Sequence, residues 1–134
     1  MEKIVVDSSI VVKWFIEEEK SKEARQLLKK HEDELITLYA PDILILEVLN
    51  ALFFKASFPK DQLIGTLNKL YNVELHLISI QQKLSQKTLG IVIREEITFY
   101  DGLFIALAQE LDCYLITNDK KHHRKKMYKK IRYL

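Results

Sequence analysis

Four carboxylates stand apart from the 19 acidic residues of this chain because of what surrounds them. Asp101 lies in the first turn of FYDGLFIALAQEL, an apolar segment that reads as a helix, and Asp119 closes Cys113 to Thr117, a short apolar run of buried-strand type. Asp7 closes a similar run, Ile4 to Val6. Glu47 sits within PDILILEVLNALFF, which is apolar nearly all round. As a helix this segment puts Glu47 on one face with Ile43, Asn50, Ala51 and Phe54, pointing inward. Carboxylates brought together in a dry crevice repel one another unless a cation offsets them. Oxygen ligands alone select a hard divalent ion, Mg²⁺ or Mn²⁺, rather than zinc.

Each acid also has a plainer use. Asp7 and Asp119 can be turn formers, Asp101 can cap its helix, and Glu47 can belong to a buried salt bridge. Other chemistries lack their residues. Gly65, Gly90 and Gly102 are isolated, so no phosphate-cradling loop exists. No Gly-x-Ser-x-Gly elbow occurs, and Cys113 lies mid-strand without a base. The Ser8-Ser9-Ile10 that follows Asp7 lacks the second aspartate of haloacid-dehalogenase-type phosphatases and the paired acids of receiver domains. His122 and His123 are adjacent, a poor spacing for joint metal ligation.

The elements that must position these acids follow in alternation. Lys3–Val6 reads as a first strand, with Ser8 or Ser9 capping a helix that runs to Ile16. A surface helix spans Lys20–Asp33, and Leu35–Tyr39 is a second strand. Pro41 and Asp42 start and cap a helix to Phe54, and Pro59 and Lys60 introduce another, with Leu63, Ile64, Leu67, Leu70 and Tyr71 on its apolar side. Val73–Ile78 reads as a third strand near a sheet edge, with His76 on its polar face. Gln81–Glu96 is a helix with Leu84, Leu89, Ile91 and Val92 as core positions. Beyond Asp119, Tyr128, Ile131, Tyr133 and Leu134 supply a last helix face and a short edge strand. Such alternation argues for a parallel sheet covered on both faces. Sites in such sheets form at the carboxyl ends of the strands, where Asp7 and Asp119 become neighbours if their strands are adjacent.

At 134 residues and 48% hydrophobic content, the chain suits one domain over residues 1–134. Three glycines and two prolines leave no room for long linkers. With no apolar run near the roughly 18 residues of a membrane span and no signal-peptide pattern, a cytoplasmic location without membrane association is expected. The single Cys113 agrees with a reducing compartment. Net charge is only +2, but Lys120–Leu134 carries eight basic residues and no acidic one, leaving 13 basic and 19 acidic residues, a charge of −6, on the remainder. A basic segment directly after an acidic site suggests a polyanionic substrate, with Lys120, Lys121, Arg124 and Lys125 on its backbone. The alternative is a solvated C-terminal helix.

The spellings VVDSSIVVKWF, PDILILEVLNAL, FYDGLFIALAQ and LITND, in this order and at these intervals, resemble the PIN-domain family over essentially the whole chain, in particular the VapC-type toxin ribonucleases. The resemblance implies an α/β class, three-layer α/β/α fold with a central, mainly parallel sheet of about five strands. It also implies an endoribonuclease dependent on Mg²⁺ or Mn²⁺, usually a homodimer neutralised by a cognate antitoxin. By position, the family's acidic site, metal-binding and catalytic, falls on Asp7, Glu47, Asp101 and Asp119, with Ser9, Thr117 and Asn50 as polar support. In that arrangement Asp7 and Asp101 hold the ion most directly, while Glu47 and Asp119 act through water or orient the nucleophile. Two positions depart from the pattern. Gly102 stands where alanine is common, which is harmless, and His122 and His123 replace residues that are often apolar. Three other readings remain open: an RNA-binding protein of the same fold without turnover, a metal-dependent phosphatase or DNA nuclease using the same acids, and an assembly subunit that presents Phe53, Phe54, Phe58, Leu67 and Leu70.

Overall fold

Five short runs of the chain, β1 (Glu2–Val6), β2 (Ile36–Pro41), β3 (His76–Ile78), β4 (Tyr114–Thr117) and β5 (Ile131–Tyr133), pair side by side in the order β3-β2-β1-β4-β5, every neighbour parallel. The computed structural model describes all residues, 1–134. The central strand is buried on both faces. Ile4, Val5 and Val6 are each no more than 2% exposed, which is why it reads as a continuous β-branched run without alternation. Helices α1 (Ser8–Val11), α2 (Ser21–Glu32), α3 (Leu44–Phe53), α4 (Leu63–Asn72), α5 (Gln82–Glu95) and α6 (Phe99–Glu110) form the crossovers. The result is the expected three-layer α/β/α arrangement with five strands.

The chain moves outward from β1 through β2 to β3, and the α5–α6 hairpin then carries it back to β4, on the other side of β1. Strand order therefore reverses between β1 and β4, whose residues pair as Val5↔Leu115 and Val6↔Ile116. Asp7 and Asp119 follow these two strands, so the acids stand at the switch point where parallel sheets open a crevice. Helix α6 is the buried crossover: every residue from Gly102 to Ala108 is buried. It ends in a left-handed turn at Asp112 (φ 49°), where the Cys113 N–H returns to the Ala108 carbonyl at 3.0 Å.

Several expectations are corrected. The first helix is a single turn of α-helix followed by a 3₁₀ turn at Val12–Trp14. Its N-cap is Asp7, and Ser9 donates to that carboxylate instead of capping. Pro41 ends β2, paired with Ile78, and Asp42 caps nothing: its N–H goes to the Ile78 carbonyl and α3 begins after Ile43. Helix α3 is not buried all round. Leu44, Ile45, Val48 and Leu52 are covered, but Leu46 is 68% and Phe54 75% exposed. In α4, Ile64 and Tyr71 are likewise exposed, and Thr66 and Leu70 face the core. The third strand shrinks to His76–Ile78 because Glu74 takes a left-handed turn (φ 57°). Leu89 of α5 is exposed, and the basic tail forms a 3₁₀ turn at Lys125–Met127 where an α-helix was open. Of the assembly-surface set, Phe58 and Leu70 are buried in the core.

Candidate active site

At the carboxyl end of β1, Asp7 is 3% exposed, and donors from the protein bind both of its oxygens. Ser9 Oγ donates to Oδ1 at 2.6 Å, while Oδ2 accepts from the Thr117 hydroxyl and from His123 Nδ1 at 2.8 Å. Ser9 and Thr117 in turn accept the backbone N–H groups of Asn118 and Asp119, at 2.9 and 3.0 Å. These bonds lock the residues after β4 onto the end of β1. A buried carboxylate survives such desolvation because its partners are both polar and fixed.

His123 is the residue that sequence reasoning missed. It is 2% exposed, packs against Phe104 and presents Nε2 to the Asp101 carbonyl at 3.0 Å. Carboxylate and carbonyl oxygens are acceptors only, so an imidazole that meets one on each nitrogen donates from both and is an imidazolium. Burial alone would push its pKa down. The hydrogen bond and charge of Asp7, with the carbonyl and charge of Asp101, outweigh burial and raise it. Its neighbour His122 turns outward, with Nδ1 2.9 Å from Asp119 Oδ2. The signal available in the sequence was the substitution itself: a histidine at a position that is often apolar is a buried histidine, which needs acceptors.

Asp101 is held in the first turn of α6 by a reciprocal cap. Its N–H donates to Thr98 Oγ1 at 3.1 Å, and the Thr98 hydroxyl donates to Asp101 Oδ2 at 3.0 Å. Oδ1 has no protein partner. Glu47 is half-buried, and its Oε1 is fully buried without any hydrogen bond. No cation pairs with it, which removes the salt-bridge reading. Burial first, then the charges of Asp7 and Asp101, raise its pKa to about 7, with His123 opposing. Asp7, Glu47, Asp101 and His123 thus share one field. Asp119 is not among the charges acting on Glu47; its carboxylate faces His122 at the rim.

Glu47 and Asn50 are the only polar residues lining an open groove of about 710 Å³ between α3 and α4, walled by Leu46, Leu49, Phe53, Leu63, Ile64 and Tyr100 among others. Asn50 is exposed there and makes no hydrogen bond to Glu47. On the opposite flank, Lys120, Lys121 and Lys125 are exposed and Arg124 is half-buried.

The donor set suits a hard divalent ion: oxygens only, with Glu47 Oε1 orphaned and Asp101 Oδ1 free. No three His, Cys, Asp or Glu side chains gather closely enough to cage an ion by themselves. The arrangement is open and is not a closed tetrahedral site.

Residues 4–127 match the PIN domain, and the chain belongs to the PIN-domain family. Among solved structures, the fold is similar to a toxin-antitoxin complex from Klebsiella pneumoniae, at 18% identity over 89% of this chain and 88% of that one, with a TM-score of 0.65. It is similar to Mycobacterium tuberculosis VapC20, described as a sarcin-ricin loop cleaving toxin, at 10% identity over 89% and 92%, with a TM-score of 0.69. DNA-bound VapBC from Salmonella typhimurium aligns at 14% identity over 100% and 98%, with a TM-score of 0.67. At such identities the likeness is one of fold. No curated protein matches the sequence at a significant level.

Proposed function

We propose that the protein is a divalent-metal-dependent endoribonuclease and the toxin of a type II toxin-antitoxin pair, acting in the cytoplasm. The observation that carries this reading is the orphaned Glu47 Oε1, buried beside two further carboxylates that raise its pKa and with no cation paired to it. Such a carboxylate is costly unless the site is built for a cation. Asp7 and Asp101 would hold Mg²⁺ or Mn²⁺, with Glu47 and Asp119 acting through water. A bound ion there supplies Lewis-acid polarisation of a phosphodiester and a more acidic water. The chain's own groups do the rest. Ser9, Thr117 and His123 fix Asp7, Thr98 fixes Asp101, and Lys120, Lys121, Arg124 and Lys125 hold the RNA backbone.

The similarity to toxin-antitoxin and VapBC complexes supports a cognate antitoxin as partner. In this reading the protein is also a homodimer, and the apolar groove between α3 and α4 would be the surface offered to the antitoxin. The test is cleavage of single-stranded RNA with Mg²⁺ by wild type, Asp7→Asn and Asp101→Asn. Loss of at least two orders of magnitude in each variant is expected, and equal rates reject the assignment.

One observation favours a second reading, an RNA-binding protein without turnover: the carboxylates do not form a ready-made cage. Metal titration separates the two, because a binder shows no Mg²⁺-dependent product. Profiling on DNA and phosphomonoesters separates the ribonuclease from a phosphatase or DNA nuclease.

A further inference from the structure

We propose that Tyr133, flanked by Lys120 and Lys125, forms a nucleobase-stacking subsite beside the carboxylate crevice. It would take one base of a single-stranded RNA while the two ammoniums pair with the adjoining phosphates. The proposal deepens the ribonuclease reading and rests on it.

Tyr133 is the last residue of the edge strand β5, in register with Thr117 of β4. Parallel neighbours lie about 4.8 Å apart and send paired side chains to the same face. Tyr133 therefore stands one strand out from the hydroxyl that binds Asp7, on the same side of the sheet. Its own hydroxyl donates to the His123 carbonyl at 2.9 Å. One residue thus links the phenol ring to the imidazole on Asp7, and the bond restrains the ring. Tyr133 is only half-buried, so part of its ring reaches solvent.

The charges around it are not scattered. Lys120 Nζ lies 5.3 Å and Lys125 Nζ 5.2 Å from the ring centroid, and both residues are exposed. At such exposed sites the attraction of an ammonium for a ring is worth only about 0.5–1 kcal/mol. A base can displace either lysine from the ring at small cost and leave it at hand for a phosphate. An aromatic platform with adjacent exposed cations, next to an acidic centre, is the chemistry that holds one nucleotide of a single strand. Tyr114 carries Arg132 in a similar pairing, 4.9 Å from its centroid. Strand alternation puts that pair on the other face, with Ile116 and not Thr117, which makes Tyr114 an internal control.

The experiment is fluorescence anisotropy of a labelled single-stranded RNA octamer of mixed sequence on the full chain in EDTA, so that binding is read without turnover. Tyr133→Leu is expected to weaken binding by about 5- to 150-fold, the range of one stacked base. Tyr133→Phe and Tyr133→Trp, which keep a ring, stay within about threefold of wild type, as does Tyr114→Leu. Lys120→Gln and Lys125→Gln each lower the slope of log K against log salt by about 0.7, and Tyr133→Leu leaves it unchanged. Tyr133→Leu binding as tightly as wild type overturns the subsite, and so does Tyr133→Trp weakening as much as the leucine variant. A wild type that does not bind the octamer overturns it too. The two readings fail separately: a wild type that cleaves RNA while Tyr133→Leu binds normally removes the subsite alone, and absence of Mg²⁺-dependent cleavage removes the nuclease alone.

Discussion

His123 and Asp7, 116 positions apart in the chain, meet at 2.8 Å with side chains 2% and 4% exposed. Because His123 also reaches the Asp101 carbonyl, one imidazolium ties the end of β1 to the start of α6. Removing it leaves a buried carboxylate short of its cation, a loss of about 3–5 kcal/mol for a broken buried pair. His123→Ala is therefore expected to lower the urea midpoint sharply at pH 6. The raised pKa of His123 means that its contribution is complete below the unfolded value of 6.5 and fades as pH climbs through the higher folded value. The gap between wild type and variant should narrow as pH rises above 6.5, and a constant gap would show that the pair's charge is unimportant.

Glu47 should behave in the opposite sense. Its folded pKa of about 7 against an ordinary 4.5 means that the fold disfavours the ionised form. No penalty exists below pH 4.5; it grows as pH rises to 7 and stays constant above. Each unit corresponds to about 1.4 kcal/mol, which part-exposure of the site reduces, so Glu47→Gln should stabilise the metal-free protein by about 1–3 kcal/mol at pH 8. Thermal melts in EDTA check this, with no difference expected near pH 4. Mg²⁺ should raise the wild-type Tm at pH 8 more than that of Glu47→Gln, and equal shifts would argue that the ion does not sense this carboxylate.

The sheet and its crevice were legible because the apolar runs that precede Asp7 and Asp119 are buried over Ile4–Val6 and Leu115–Thr117, and burial leaves a compositional trace. Helix α6 was legible for the same reason. Helix α3 was not: Leu46 and Phe53 line an open groove, and apolar character alone does not distinguish a core face from a groove wall. The same ambiguity left Glu47 reading as more deeply inward than it is. His123 escaped because the turn after Asp119 has no periodicity to say which of two adjacent histidines points in. The tail was legible in part: the short edge strand expected around Ile131 and Tyr133 is β5, whereas the expected helix face is only the 3₁₀ turn Lys125–Met127, too short for helix propensity to decide.

Two glycines of the α5–α6 hairpin should respond to alanine in opposite directions. A Cβ at Gly102 would meet Val92 Cγ2 at 2.9 Å, whereas at Gly90 nothing lies within 4 Å. Gly90→Ala gains helix propensity, about 0.5–1 kcal/mol. Gly102→Ala gains the same but overpacks against a stiff valine, at about 1–3 kcal/mol, for a net loss. Val92→Ala in the Gly102→Ala background should recover part of it. Denaturation curves of the three variants test the ordering, and a stabilising Gly102→Ala would show that α5 and α6 can move apart freely.

Thr117 is fully buried, and its single hydroxyl has several duties. It donates to Asp7 Oδ2, accepts the Asp119 N–H at 3.0 Å and lies 3.2 Å from His123 Nδ1. Since its proton goes to Asp7, the contact with His123 is one in which the imidazolium shares its N–H between threonine and carboxylate. Thr117→Val keeps the volume and removes all of this, leaving the part-buried Asp119 N–H without its acceptor and stripping a donor from a buried carboxylate, at about 2–5 kcal/mol in sum. Thr117→Ser keeps the hydroxyl and loses only a methyl, about 1 kcal/mol. Urea denaturation should therefore rank serine above valine. The reverse order would mean that packing at the end of β4, and not the hydroxyl, holds Asp7 in place, and Asp7 would then have to owe its position to Ser9 and His123 alone.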